Sequence, residues 1–215
     1  MTTASILDVQ TWLVYQKISI ECAGCLFMTE NGFKAKDIGL RAQKKILSRM
    51  ASKNMAKVFI DDTTSCLLDN IYKLIKLQTN NKKDAERIVK NIIKIVIKIA
   101  VLNKNDQFDA EEKQLANKFY DKFLRLQMII TSFHEVDYSY DQAFILPKIK
   151  EIHQMLKDLV RRNLTDKSLM RIDEVFEFFQ NPEFLDKLFT QNPSYRELMD
   201  KIVADMNKAN EGLNI

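Results

Sequence analysis

The chain has 215 residues, of which 46% are hydrophobic and 29% charged, with only 4 Gly and 3 Pro. An all-β fold needs a turn about every 8–12 residues and a phosphate-binding loop needs clustered glycines, so the composition disfavours both and favours long helices. The length predicts one domain, or at most two small ones, with a substantial core. Three cysteines are too few for a disulfide framework, which is typical of a reducing compartment.

Residues 1–33 differ in character from the remainder of the chain. They are apolar in patches, but Asp8, Lys17 and Glu21 interrupt the apolar stretches. A signal peptide needs a basic start and an unbroken apolar centre, and a membrane span needs about 20 apolar residues. Neither pattern fits, so we interpret residues 1–33 as a variable N-terminal extension.

From residue 34 onward the apolar spacing predicts successive helices joined by short connections. The predicted segments are Lys36–Asn54, Asp62–Gln78, Lys83–Asn103, Ala110–Phe133, Tyr140–Arg162, Asp166–Phe179, Pro182–Leu188 and Ser194–Asn210. Pro147 is expected to kink or divide its helix, and Thr165 is expected to cap the next one. Because no low-complexity linker separates these segments, residues 34–215 are predicted to form a single all-α antiparallel bundle.

The net charge of +4 conceals an uneven distribution along the chain. Residues 33–104 have a net charge of +11, whereas residues 1–32 have −2 and residues 105–215 have −5. Such an asymmetry provides information about surface partners and none about the fold.

The cations of the basic half form stripes on two predicted helices. The first stripe repeats every four residues and consists of Arg41, Lys45, Arg49, Lys53 and Lys57. The second stripe spans about 80° of the helix and consists of Lys83, Arg87, Lys90, Lys94 and Lys98. Cations four residues apart repel one another by a few tenths of a kcal/mol. The stripes therefore indicate either a solvated face or a surface that binds anions.

The sequence contains no catalytic or metal-binding pattern. His134 and His153 have no acid or thiol at catalytic or zinc-ligand spacing, so both are interpreted as structural or surface residues. The Cys22–Cys25 C-x-x-C sequence is isolated and lacks the further ligands of a zinc site. We therefore predict a protein that is not an enzyme and needs neither a metal ion nor a cofactor.

Several segments resemble the TNF-alpha-induced protein 8 family in order and spacing. They are residues 59–65, 68–72, 97–102, 132–138, 164–179 and 181–189. The resemblance extends from about Lys34 to the C-terminus, whereas residues 1–33 match nothing in the family's common core. Pro147 also departs from the family pattern, because it lies in a helix that members usually run continuously.

The resemblance implies a bundle that encloses an elongated hydrophobic cavity for lipid acyl chains, with a basic first helix that binds phosphoinositide headgroups. It implies a non-enzymatic phospholipid-binding and transfer protein that regulates cell death, immune or lipid second-messenger signalling. Such a protein is expected to be a cytoplasmic monomer, peripherally associated with anionic membranes. A bound phospholipid is the only small molecule that the resemblance predicts.

The resemblance also indicates where lipid is expected to bind. The predicted headgroup contacts are Lys44, Lys45, Arg49, Lys53, Lys104 and Lys118. The apolar pattern of two successive helices adds the side chains that would line such a cavity, namely Phe119, Phe123, Leu126, Met128, Ile130, Phe144, Ile145 and Leu159. The residue pattern alone favours a closed core, and only the resemblance favours a cavity.

Two other functions remain as alternatives at the level of sequence. The chain could be a cytoplasmic adaptor that regulates apoptosis or autophagy through contacts with signalling proteins, and this is compatible with lipid binding. Nucleic-acid binding is disfavoured, because no recognition helix, aromatic platform or zinc site accompanies the basic region.

Overall fold

A computed structural model describes residues 33–48, 62–190 and 192–211, and these residues form eight helices and no strand. The helices are α1 (Ala35–Leu47), α2 (Asp62–Thr79), α3 (Lys82–Lys104), α4 (Ala110–Glu135), α5 (Gln142–Val160), α6 (Asp166–Phe179), α7 (Pro182–Leu188) and α8 (Pro193–Glu211). The prediction of an all-α bundle is confirmed. Residues 92–102, which alternate apolar residues and lysine like a strand, lie within α3.

Short polar side chains determine where several helices begin. Asn81 accepts hydrogen bonds from the first backbone N–H groups of α3, and Asp141 and Asn181 do the same for α5 and α7. Asp109 and Glu112 form a capping box at the start of α4, in which each side chain accepts the other's backbone N–H. These caps satisfy backbone N–H groups that lack a partner within the helix, and they therefore mark where each helix begins.

Six helices pack side by side in the order α2, α3, α6, α5, α4 and α8, and α8 packs back against α2. Neighbouring helices in this ring run in opposite directions. Asn70 near the start of α2 bonds Asp205 near the end of α8, whereas Gln78 at the end of α2 accepts from Tyr195 at the start of α8. Because six is an even number, the alternation closes without a parallel pair.

The short helix α7 lies at one end of the ring. The Asp186 carboxylate on α7 accepts hydrogen bonds from the Tyr140 hydroxyl at 2.9 Å and the Gln142 amide at 2.7 Å, both near the start of α5. On the same helix, Phe184 is 1% exposed and packs among residues of α2 and α8. These contacts hold α7 against α2, α5 and α8 at that end of the ring.

Helix α1 lies outside the ring, against α2 and α3. The backbone N–H of Ala35 donates to Asp69 Oδ1 on α2 at 2.9 Å. The ring of Phe33 stacks on Tyr72, with centroids 4.0 Å apart. Burial raises the pKa of the Asp69 carboxyl, while the Ala35 hydrogen bond opposes that rise. The first residues of the described segment are thus held by both packing and hydrogen bonding.

Pro147 does not divide its helix, so that part of the prediction is wrong. α5 runs continuously from Gln142 to Val160 with Pro147 inside it. The proline removes one bond to the carbonyl of Ala143, but both residues are exposed, so water can solvate that carbonyl. Thr165 does occupy the N-cap position of α6, although its side chain makes no capping bond.

Some predictions fall outside the described residues. These are the extension up to residue 32, the end of the first predicted helix with Arg49, Lys53 and Lys57, and the Cys22–Cys25 pair. Cys66 on α2 is disulfide-bonded. This bond was not predicted from the sequence, because three cysteines are too few for a disulfide framework.

Candidate functional site

A basic groove separates α1 from the first half of α3. It has a volume of about 370 Å³ and is lined by Phe33, Lys34, Asp37, Ile38, Arg41, Ala42, Lys45, Lys82, Glu86, Lys90 and Lys94. We call it the α1–α3 groove. Six of its lining residues are cations and two are anions, and Glu86 already pairs with Lys90 Nζ at 2.6 Å. The groove therefore has an excess of positive charge beside an apolar floor.

Lys94 lies among several other cations of the groove and of α6. Burial lowers the pKa of its ammonium group, and the charges of Arg171, Lys90, Lys45 and Lys167 lower the pKa further. These cations come from α1, α3 and α6, so the fold gathers them from three separate parts of the sequence. Like charges held together in this way favour the binding of an anion, which would relieve their repulsion.

The structure brings only some of the predicted headgroup lysines to this groove. Lys45 lines it, whereas the neighbouring Lys44 is exposed in the same last turn of α1. Lys104 is the last residue of α3, and Lys118 is exposed on α4, on the opposite side of the ring from α3. Lys104 and Lys118 are therefore separate from the groove.

Sequence reasoning missed part of this cationic site. The sequence places Lys90 and Lys94 in a basic stripe on α3 but, within that helix alone, gives no reason to assign them to a site. Lys167 and Arg171 had no signal at all, because their approach to Lys94 depends on α6 packing against α3. Lys90 and Lys94 could have been predicted from the sequence, because α1 and α3 each have a basic stripe and two such stripes on adjacent helices can form one site.

The inward face of α4 is less completely buried than the inward faces of the other ring helices. α4 is described along its full length of 26 residues, and Leu126 is its one buried residue. By contrast, α3 buries nine residues in a length of 23. Phe119, Leu126 and Ile130 fall within about 40° on the α4 wheel, and Phe119 and Ile130 are only partly buried against the core. This face leaves apolar surface accessible.

The remaining predicted cavity residues are in three kinds of position. Ile145 and Leu159 on α5 are buried, at 0% and 3% exposed. Phe123 is 36% exposed at the edge of the inward α4 face and stacks on Phe119 at 5.9 Å. Met128 and Phe144 are 71% and 48% exposed, and Met128 lies about 200° around α4 from Leu126. Met128 is therefore separate from the inward-facing set, whereas Phe144 lines a surface cleft between α4 and α5 together with Leu126.

Each histidine contacts an aspartate on a neighbouring helix. His134 Nε2 lies 2.6 Å from Asp200 Oδ1 and joins α4 to α8. His153 Nε2 lies 2.8 Å from Asp173 Oδ1 on α6, and its ring stacks on Phe176 at 4.6 Å. These contacts agree with the interpretation of the histidines as structural residues.

Residues 33–48, 62–190 and 192–211 contain no group of three His, Cys, Asp or Glu side chains that could hold a metal ion. None of the helices in those ranges is long and apolar enough to cross a bilayer.

The fold and the groove define a class: an all-helical bundle protein with a basic surface groove. The family model described as tumor necrosis factor alpha-induced protein 8-like matches residues 33–212. The chain belongs to this family. Proteins of the family are regulatory and are not known as enzymes, and membership implies a role in apoptosis or immune regulation.

Relatives from insects and vertebrates align over most of the chain. The tumor necrosis factor alpha-induced protein 8-like protein of Drosophila pseudoobscura pseudoobscura is 57% identical, over 86% of this chain and 98% of its own. Protein salivary glands marred of Drosophila melanogaster is 55% identical over the same shares. Human tumor necrosis factor alpha-induced protein 8 is 40% identical, over 85% of this chain and 92% of its own.

Proposed function

We propose that this protein binds a phospholipid, a phosphoinositide in particular, and regulates cell-death or immune signalling by presenting or transferring it. The headgroup would bind in the α1–α3 groove, and the acyl chains would enter the helix ring. The observation that carries the proposal is the convergence of Lys45, Lys90 and Lys94 with the cations of α6. Phosphate groups are anions of the size and charge that such a cluster recognises.

The packing of α4 supports a place for the acyl chains. The partly covered apolar side chains of α4 face the interior of the ring, and α7 covers one end of that ring. A chain that enters there exchanges apolar bilayer contacts for apolar protein contacts, and it avoids the cost of about 0.8 kcal/mol for each CH₂ that would otherwise lie in water. The transfer therefore requires no covalent chemistry. The protein would associate with membranes peripherally while it loads.

The test is the lipid content and vesicle affinity of the purified protein. Native mass spectrometry should detect a co-purified phospholipid. The Lys44→Ala/Lys45→Ala double variant should bind phosphoinositide vesicles about tenfold more weakly, and high salt should weaken the wild-type protein similarly. Equal binding to neutral and phosphoinositide vesicles would refute the proposal.

A second candidate function is that of an adaptor that acts through protein contacts. It is favoured by a groove between α4 and α8, of about 280 Å³, beside the exposed apolar side chains of Met128 and Val136. If the adaptor function is correct, a partner complex should survive variants that abolish lipid binding. The two functions are compatible, because a lipid carrier can also bind a partner.

A further inference from the structure

A second basic surface lies on the outer side of the seam between α4 and α5. Lys118, Lys122 and Arg125 follow one another at intervals of four and three residues, so they share one side of α4. Phe144 and Lys148 are four residues apart on α5. We call these five residues the α4–α5 face. The nearest pairing across the seam joins Lys122 Nζ to Glu151 Oε1 at 2.7 Å.

An apolar cleft runs between the two helices within this face. It has a volume of about 170 Å³ and is lined by Lys122, Arg125, Leu126, Ile129, Phe144, Lys148, Glu151 and Ile152. Leu126 and Ile152 are 7% and 1% exposed and form its floor. The cleft is therefore shallow, with hydrocarbon at the bottom and three cations against one anion around it.

Phe144 and Lys148 form the most distinctive pair of the face. The Phe144 ring is 48% exposed, and the Lys148 ammonium lies 4.4 Å from its centroid. A half-exposed aromatic ring beside cations is the combination that membrane interfaces accommodate, with the ring among the headgroups and the cations at the phosphates. The described residues leave this apolar area uncovered, and a partner of matching chemistry would bury it.

We propose that the α4–α5 face docks on an anionic lipid bilayer, with Phe144 inserted among the headgroups and Lys118, Lys122, Arg125 and Lys148 at the lipid phosphates. The cations spread along α4 over about 10 Å, which suits a surface that offers many phosphates better than a single bound anion. The proposal goes beyond the lipid-binding function, because α4 lies opposite α3 in the ring. The α1–α3 groove would hold one lipid, and this face would hold the membrane.

A single tryptophan tests the insertion directly. Trp12 is the one tryptophan of the chain, so Phe144→Trp in a Trp12→Phe background places the only such fluorophore on the face. With vesicles of phosphatidylcholine and phosphatidylserine, its emission should shift to the blue, and brominated lipids should quench it. Pure phosphatidylcholine vesicles should do neither. The matched control is Met128→Trp in the same background, which should stay unquenched.

Charge reversal tests the cations. Lys122→Glu/Arg125→Glu/Lys148→Glu should lower co-sedimentation with the anionic vesicles at least tenfold. Lys150→Glu/Lys187→Glu/Lys208→Glu changes the net charge equally at exposed lysines elsewhere and should lower it less than twofold. Circular dichroism melting of both variants shows whether each still folds.

Several outcomes would overturn the proposal. They are equal losses in the two charge variants, an unquenched Phe144→Trp while the protein still binds vesicles, or binding of an acidic amphipathic peptide to the face without any binding of vesicles. The lipid-binding function is tested separately, by the phospholipid that co-purifies with the protein. A face variant that keeps its bound lipid but loses vesicle association supports the docking proposal, and one that keeps both refutes it.

Discussion

The guanidinium of Arg162 holds the carboxylate of Glu112 through two hydrogen bonds, from Nε to Oε1 at 2.9 Å and from Nη2 to Oε2 at 2.5 Å. Arg162 follows the end of α5, and Glu112 lies in the first turn of α4. The Glu112 side chain also accepts the backbone N–H of Asp109 at 2.9 Å. This pair links the end of α5 to the start of α4, at the end of the ring that lies away from α7.

Glu112→Gln should therefore weaken the fold in a pH-dependent way. The hydrogen bond from Arg162 lowers the pKa of Glu112 below its ordinary 4.5. A lowered carboxyl pKa stabilises the fold above about pH 4.5, and that contribution is lost as the pH falls through the folded-state value. We expect a loss of about 1 kcal/mol at pH 7, since Arg162 is half exposed, and a smaller loss in acid. Urea unfolding at pH 7 and pH 3.5 measures both.

The control for this prediction is Glu111→Gln, because Glu111 is exposed in the same turn of α4. Its unfolding free energy should change by less than half as much at pH 7. The same pH dependence in both variants would contradict the role assigned to the Arg162 pair.

Lys94→Gln should raise stability and lower lipid affinity together. The pKa of Lys94 is lowered first by burial and then by neighbouring cations. A lowered ammonium pKa means that the charged form is unfavourable in the fold at neutral pH, and this cost disappears as the pH rises through the folded-state pKa. Removing the charge should stabilise the protein by about 0.5–1 kcal/mol, while phosphoinositide vesicles bind about fivefold more weakly.

Thermal melting and vesicle titration measure the two effects on Lys94→Gln. Lys83→Gln serves as the control, because Lys83 belongs to the same α3 stripe but is exposed and lies outside the groove lining. It should change neither quantity substantially. A Lys94→Gln variant that loses stability would show that the ammonium group makes a favourable contact instead.

Ile130→Trp should reduce the amount of lipid that co-purifies with the protein. Ile130 is partly buried on the inward face of α4 and packs against apolar clusters that include Met199 of α8 and Ile145 of α5, so a larger side chain would fill space that acyl chains need. Met128→Trp is the matched control on the outward side of the same helix. Quantitative lipid extraction should show at least a twofold loss for Ile130→Trp alone. Equal lipid content would indicate that the ring does not hold the chains.

Removing the hydroxyl group from two buried tyrosines should have different effects on the free energy of unfolding. Among the described residues, the Tyr72 hydroxyl is buried and has no hydrogen-bond partner. Tyr72→Phe should therefore leave the unfolding free energy unchanged or raise it by up to about 1 kcal/mol. The Tyr195 hydroxyl donates to Gln78 Oε1 at 2.6 Å, so Tyr195→Phe should lower it by about 1 kcal/mol. A destabilised Tyr72→Phe would reveal a partner for that hydroxyl.

Helix positions could be predicted from the sequence because their signals are local. The segments Asp166–Phe179 and Pro182–Leu188 have the predicted bounds, since a cap position or a proline at the first turn marks each start. Pro147 was misjudged because the effect of a proline depends on whether the freed carbonyl reaches water, which is a property of the fold. The apolar spacing of a helix does predict its inward face, as with Phe119 and Leu126 on α4.

The basic site could be predicted only in part. The α1 and α3 stripes are visible because each repeats within one helix. Arg171 joins Lys94 only through the packing of α6 on α3, and no pattern within a single segment encodes that approach. Phe144 was assigned to the cavity because it is apolar, yet its ring is half exposed beside Lys148. An apolar residue type predicts burial, but whether a neighbouring helix covers that side chain is a property of the fold.

The alternating directions of the six ring helices also determine the electric field at the ends of the ring. Each helix is a dipole with a positive N-terminus and a negative C-terminus. At the end away from α7, the N-termini of α2, α4 and α6 stand beside the C-termini of α3, α5 and α8, so the backbone dipoles largely cancel. The field that an approaching anion meets there is set by side chains such as Lys104 and Lys167. Selectivity for charge at this end can therefore change by single substitutions, without any change in the backbone.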